Sequence, residues 1–306
     1  MTTQKIHFSD LAEYHRFLGL PVPEHPLFSV ATVSSTEQGD PVPCADQELA
    51  LSSDFYSISL KHITSGEIFY GRTRYDCKNG TMIFMAPKQE VRVVGVRVKS
   101  TGRSILIHED FIRGHPIKDE IKKYNYFSYA VNEALHLSPK EEEMIAGLID
   151  QIESEYHSNP DAFSKDLILS LVDTLLKYAN RFYHRQFLHR KENSSDLLDR
   201  FIAEVEKFIG ANKQEEKSIP AIEDIAAAMA VTPRYLSDAL KVETGTTAME
   251  NLHLHLIDKA KDLLLESDAT VATVAYDLGF EYPQYFARLF KKKTGMTPTE
   301  YRNSYH

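Results

Sequence analysis

The C-terminal third of this 306-residue chain repeats itself, and that duplication limits the possible folds more than any other feature. Ile222-Glu-Asp-Ile-Ala-Ala-Ala-Met229 aligns with Val271-Ala-Thr-Val-Ala-Tyr-Asp-Leu278 at an offset of 49, and the match runs on through Ala230/Gly279 and Val231/Phe280. After a one-residue insertion, Pro233/Pro283, Tyr235/Tyr285, Leu236/Phe286, Leu240/Phe290, Lys241/Lys291, Thr244/Thr294 and Gly245/Gly295 align at an offset of 50. Each copy reads as a short helix with apolar residues at i, i+3, i+4 and i+7, a tight turn, and a second helix opened by proline. That is a helix-turn-helix, at about 222–245 and again at about 271–295. A helical bundle with a duplicated hairpin would explain the repeat alone, but not the charges that lie on it.

Between the copies, Thr247-Ala-Met-Glu250 is a capping box that opens a helix to about Glu266. Some twenty residues at ~1.5 Å each make a rod of ~30 Å. Successive major grooves on one side of B-DNA lie ~34–36 Å apart. The spacing therefore suits two second helices set into adjacent grooves of one duplex. In the second copy Phe286, Leu289 and Phe290 share an inward face, and Gln284, Arg288 and Lys291 lie opposite, with Tyr285 beside them. Gln and Arg make bidentate contacts to the edges of adenine and guanine. Lys291-Lys292-Lys293 is placed for phosphates, which supply affinity rather than sequence choice. From Tyr282 to Lys293 there are four cations and no acid.

The first copy is weaker. Leu236, Ala239 and Leu240 face inward, and Arg234, Ser237, Asp238 and Lys241 face out. Asp238 can accept from cytosine N4 but is repelled by phosphate. Residues 218–306 hold nine Lys/Arg against twelve Asp/Glu, a net of −3, so one copy of the chain is expected to bind DNA modestly. Thr297-Pro-Thr-Glu300 is a further capping box whose first amides could hold a phosphate or simply cap the helix.

Composition closes off other classes. Apolar residues at 42% and charged residues at 26% exclude disorder, collagen and a coiled-coil rod for the whole chain. No apolar run reaches the ~18–20 residues that span a bilayer. The stretch Met1 to His7 lacks the apolar core of a signal peptide. Cys44 and Cys77 lie 33 residues apart and form no CxxC, which fits a reduced cytoplasm and no zinc knuckle. A net charge of −9 argues against a protein coated in basic residues.

Residues 1–137 read as β-rich. Phe55 to Ile63 alternates, with Tyr56, Ile58 and Leu60 on one face and Ser57, Ser59 and Lys61 on the other, as a half-buried strand does. Val94 to Val98 alternates too, Ile105 to His108 is a short apolar run, and Asn79-Gly80 is a hairpin signal. Short strands at this spacing predict a small barrel or sandwich. At Ser138-Pro-Lys-Glu141 the pattern turns helical, with Met144, Ile145, Leu148, Ile149 and Ile152 on one stripe. After the Asn159-Pro160 break a second helix carries Phe163, Leu167, Ile168, Leu171, Val172 and Leu175. The pair, 138–192, reads as an antiparallel hairpin with an apolar stripe left over. A linker is expected near Lys191 to Ser195 and a surface loop at Gly210 to Lys217. The fold class is therefore α+β: a β-barrel-like domain, a helical hairpin, then an all-α domain over 196–306.

Residues ~200–306 closely resemble the AraC/XylS family of bacterial transcription regulators. The resemblance is carried by Val271-Ala-Thr-Val-Ala-Tyr-Asp-Leu-Gly-Phe280, Tyr285-Phe-Ala-Arg-Leu-Phe-Lys-Lys292, Thr294-Gly-Met-Thr-Pro298 and Tyr301-Arg302, with Asp258 to Leu264 on the connecting helix. Leu256 and Asp238 depart from it: many members carry arginine at the first position and a longer or basic residue at the second. The resemblance implies a cupin-like effector domain at 1–137 and a dimerisation element at 138–192. It implies double-stranded DNA as partner, a homodimer, a small-molecule effector and contact with RNA polymerase, with no membrane. No cupin metal motif (HxH followed by glutamate) appears among the strands, so neither a catalytic metal nor another cofactor is expected. His62, Arg72, Arg74 and Tyr75 are candidates for an anionic small molecule, or else ordinary strand residues. His253 and His255, at i and i+2, splay apart on a helix and make a poor metal site. The basic run Arg181 to Lys191 suits a solvated helix end or a DNA flank. Two rivals stand beside the effector-controlled activator or repressor. One is a constitutive dimeric regulator. The other is a cupin-type enzyme with a helical appendage, which lacks a nucleophile-base pair and a phosphate-cradling loop.

Overall fold

The computed structural model describes residues 4–34, 49–65, 68–70, 73–75, 80–93, 99–130, 133–193, 197–215, 218–266 and 269–305. The chain divides into two compact units, Met1–Gln186 and Phe187–His306.

The first unit runs β1 (Gln4–Phe8), α1 (Leu11–Phe17), β2 (Phe28–Ser34), β3 (Leu49–Ser53), β4 (Phe55–Ser65), β5 (Ile68–Tyr70), β6 (Thr73–Tyr75), β7 (Thr81–Met85), β8 (Val91–Val93), β9 (Lys99–His108), α2 (Ile117–Glu120), β10 (Leu135–His136), α3 (Pro139–Tyr156) and α4 (Ser164–Asn193), of which residues 187–193 belong to the second unit. An antiparallel sheet is ordered β10-β7-β4-β9-β2; a second is ordered β1-β3-β8, and β5 pairs with β6. Among the described residues the five-stranded sheet ends at β10 and β2 and does not close, so the expected barrel is replaced by open sheets. Val94 to Val98, Cys44, Cys77, Arg72 and Asn79 lie outside the described residues.

Strand β4 is not half buried. Every residue from Phe55 to Leu60 is buried, because β4 is central and both faces are covered. On one face Tyr56, Phe84 and Phe28 meet Phe127, Tyr126 and Phe111 in ring contacts of 4.5–5.2 Å. Helix α3 docks on the same face with Ile145, Ile149 and Ile152 buried. Arg103 of β9 anchors it by an ion pair with Asp150 and a hydrogen bond to the Ala146 carbonyl. Tyr126 donates to the Leu176 carbonyl of α4 at 2.9 Å, and burial pushes its phenol far above the usual range. On the other face Phe8, Leu11, Phe55 and Leu106 form a small core under α1, whose first amides bond to Asp10. Beyond that core the same face carries a serine row on β4 and β9, flanked by Ile83 of β7 and Ala31 of β2. Ser59 bonds to Ser57 at 3.3 Å and to Ser104 at 2.8 Å. Buried hydroxyls are tolerated there because they satisfy one another. Alternation alone could not distinguish this interior serine row from a solvent face.

Helix α3 opens on Ser138, whose amide donates to Glu141 at 2.8 Å, and α4 starts past Pro160 on a cap made by Asp161. Of the expected stripes, Ile168, Val172 and Leu175 are buried. Met144 (42%), Phe163 (70%) and Leu167 (52%) are exposed.

The second unit is all helical among its described residues: α5 (Leu197–Glu215), α6 (Ile222–Ala228), α7 (Pro233–Thr244), α8 (Ala248–Glu266), α9 (Val271–Asp277), α10 (Pro283–Thr294) and α11 (Pro298–Tyr305). The loop expected from Gly210 is helix as far as Glu215, because Phe201, Val205 and Ile209 bury one stripe of α5 in the core and the polar tail continues the same turns. Leu256 is wholly buried among Leu252, Ile257 and Ala260, which fits leucine at a position where arginine is common. Arg302 of α11 donates to the Leu264 carbonyl in the last turn of α8 at 2.9 Å and to the Ala269 carbonyl beyond it at 2.6 Å. No helix of the described residues is long and apolar enough to cross a membrane.

Candidate nucleic-acid interface

Both copies of the repeat fold as two helices joined by a turn, and their local signals correspond. The turn places Ala230 (φ 57°) and its match Gly279 (φ 85°) in left-handed backbone. Helix α7 starts on Thr232, whose Oγ1 accepts from the Tyr235 amide at 3.2 Å, with Pro233 in the first turn. Helix α10 starts on Pro283 without a side-chain cap. Both end at glycines, Gly245 and Gly295, with φ 80° and 82°.

The inward residues are those the spacing selects. Leu236, Ala239 and Leu240 of α7 are buried, as are Phe286, Leu289 and Phe290 of α10. On the outer side of α10, Gln284, Arg288, Lys291 and Lys292 are exposed, and Tyr285 is 46% exposed with its ring 6.1 Å from that of Phe280. Lys293 differs from the other lysines. It is turned inward and ion-paired with Glu250, so it is not free for a phosphate as its place in the run suggested. The two helices share no sequence neighbourhood, which is why reading the lysine run alone misses the pair.

The outer side of α7 is less open. Arg234 and Lys241 are exposed, while Ser237 and Asp238 are half-buried. Ser237 Oγ accepts from the Ala248 amide at 3.5 Å, turning it toward the start of α8. Tyr235 is 1% exposed and packs edge-on against Phe187. The matched tyrosines therefore differ, Tyr235 in the core and Tyr285 on the surface. Thr297 is half-buried and used in capping: its amide donates to Glu300 at 2.8 Å and its Oγ1 accepts from the Glu300 amide at 3.2 Å.

Of the histidine pair on α8, His255 bonds to Glu206 of α5 at 2.6 Å, beside an ion pair from Lys259. Burial pushes Glu206 up, but the bonds from Lys259 and His255 outweigh it and hold the carboxyl below its ordinary value. His253 is pushed down by burial. In the first unit, His62 projects to the α3 side of β4 and is ion-paired with Glu142, whose carboxyl also accepts from the Gly80 amide at 3.0 Å. The His62 bond first, and the Gly80 bond after it, hold Glu142 below the usual glutamate range against burial. Arg74 and Tyr75 lie in β6 opposite Phe69 and Ile68. In the basic run of α4, Arg181 and His184 are exposed, whereas Arg185 pairs with Glu141 at 2.8 Å.

Residues 225–304 match a family described as a helix-turn-helix domain. An uncharacterised HTH-type transcriptional regulator of Bacillus subtilis, YfiF, is 32% identical over 142 residues, covering 46% of this chain and 42% of that protein. The HTH-type transcriptional activator RhaR of Escherichia coli is 26% identical over 156 residues, 51% of this chain and 52% of that one. This chain thus spans about half or less of the curated relatives it matches. Among solved structures, the C-terminal domain of AraT, a response regulator from Geobacillus stearothermophilus, is 28% identical with a TM-score of 0.31, covering 37% of this chain and 88% of that one. With the paired turns, caps and inward faces already described, the C-terminal unit carries a DNA-binding helix-turn-helix domain of the AraC type.

Proposed function

We propose that this chain is a sequence-specific, DNA-binding transcription regulator that lays α7 and α10 into successive major grooves of one duplex. The observation that carries the reading is the outer face of α10. Gln284, Arg288, Lys291 and Lys292 stand exposed in an otherwise acidic chain, combining base-edge donors with phosphate cations. α7 contributes Arg234 and Lys241, with Ser237 and Asp238 at its edge. One half-site is read strongly and the other weakly, so a homodimer supplies the missing affinity. The exposed Met144 on α3, Phe163 just before α4 and Leu167 on α4 support that assembly. The chain is a binding protein of the cytoplasm, not an enzyme.

The first unit is a sensor in this reading. His62, ion-paired with Glu142, braces the sheet on α3. Activation, as in the name of RhaR, requires contact with RNA polymerase. The test is selection of bound duplexes from random DNA, with and without cell metabolites. A two-part consensus with steep salt dependence is expected, and binding that is indifferent to sequence and salt would overturn the reading. A thermal-shift screen against metabolites checks the sensor: no stabilisation by any compound would leave a constitutive dimer.

A further inference from the structure

The first turn of α8 grips both second helices, through adjacent residues. Asn251 is buried and donates from Nδ2 to Thr244 Oγ1 (3.0 Å), the Thr246 carbonyl (3.1 Å) and the Thr247 carbonyl (3.0 Å). This ties the end of α7 to the start of α8. Glu250 is ion-paired with Lys293, in the last turn of α10, and the lysine side chain is only 14% exposed.

The duplication shows that Glu250 is diverted from a local bond. It matches Glu300 at the same offset of 50 as the rest of the second helices. Glu300 closes its own capping box, accepting from the Thr297 amide at 2.8 Å. Glu250 keeps only half of the box: its amide donates to Thr247 Oγ1 at 3.3 Å, while its carboxylate bonds Lys293 instead of the Thr247 amide. A helix start thus forgoes a cap bond in favour of a long-range one. The charges around it agree. The Lys293 bond holds the Glu250 carboxyl below its ordinary range against burial, and Lys293, His253 and Lys292 add attraction.

We propose that Glu250 is a positioning residue: with Asn251 holding α7, it locks α10 to α8, sets the half-site spacing the protein accepts, and keeps Lys293 off the phosphate backbone. The proposal rests on the DNA-binding reading and adds to it the element that measures the spacing.

The test uses the full chain and a duplex selected from random DNA, together with versions that have one base pair added or removed between the half-sites. The native protein is expected to discriminate among these spacings. Glu250→Gln should reduce that discrimination about fivefold, Lys293→Gln should do the same, and the double variant should lose no more. The swap Glu250→Lys with Lys293→Glu should restore it, and its circular dichroism confirms folding. Glu250→Gln should also steepen the dependence of log affinity on log salt by about one, as Lys293 becomes free for a phosphate. A merely structural role would weaken all spacings alike. Native discrimination and native salt slope in a folded Glu250→Gln protein would overturn the proposal. If the native chain selects no duplex, the regulator reading itself fails and this proposal with it.

Discussion

Phe187 meets Tyr235 edge-on, with 5.1 Å between ring centroids and 75° between planes. Both rings are buried, at 7% and 1% exposure, yet Tyr285, the match of Tyr235 in the second copy, is 46% exposed. One residue type in one repeat position is core in the first copy and surface in the second. Truncating Phe187 to alanine should cost about 3–5 kcal/mol, the usual effect of deleting a buried phenyl ring. Tyr285→Ala should change stability by less than about 0.5 kcal/mol and act on DNA affinity instead. Thermal unfolding followed by circular dichroism measures both; equal losses would mean that Tyr285 is packed as Tyr235 is.

The exposed face of α10 separates sequence choice from affinity. Arg288→Ala should cost about 1–3 kcal/mol at the selected site and relax preference at one base pair. Lys292→Ala should weaken all duplexes alike and lower the salt slope by about one. Filter or fluorescence titrations across a panel of single-base variants decide the matter. Equal, sequence-independent losses would make Arg288 a phosphate contact.

The two turns differ by one side chain in the same left-handed backbone, Ala230 at φ 57° against Gly279 at φ 85°. A β-carbon there costs roughly 1–2 kcal/mol, while glycine gains freedom in the unfolded chain. Ala230→Gly should therefore be neutral to about 1 kcal/mol stabilising, and Gly279→Ala should destabilise by about 1–2 kcal/mol or more. Urea midpoints provide the comparison. A stable Gly279→Ala protein would show that the second turn can rearrange.

Acid should weaken the hold of α8 on α10. Glu250 titrates below its ordinary 4.5 in the folded chain, chiefly because of the Lys293 bond. A depressed carboxyl stabilises the fold above the unfolded value and loses that contribution as pH falls through the folded one. Stability of the native protein relative to Glu250→Gln should thus be constant near neutrality and converge below about pH 4.5. A gap that widens on acidification would contradict the sign of the shift.

Much of the second unit was legible in the residues. Helices α6, α7, α9 and α10 fall inside the repeated segments because period, proline, capping threonine and terminal glycine all act within a turn or two of chain. The open sheet, the buried serines of β4 and the helical tail of α5 were not legible. Alternation gives the two faces of a strand, but says nothing of whether a second layer covers the polar one. The absence of apolar residues after Gly210 likewise does not stop a helix already nucleated and packed at Phe201, Val205 and Ile209.

By itself, then, the sequence determined the elements: two matched helix pairs, a rod between them, and a basic outer face on the second. Tertiary structure alone decided which of these groups are open to a partner. Lys293 is paired by Glu250 from 43 positions away, and Phe187 covers Tyr235 from 48 positions away. Such pairings depend on which elements the core brings together, and no local period encodes them.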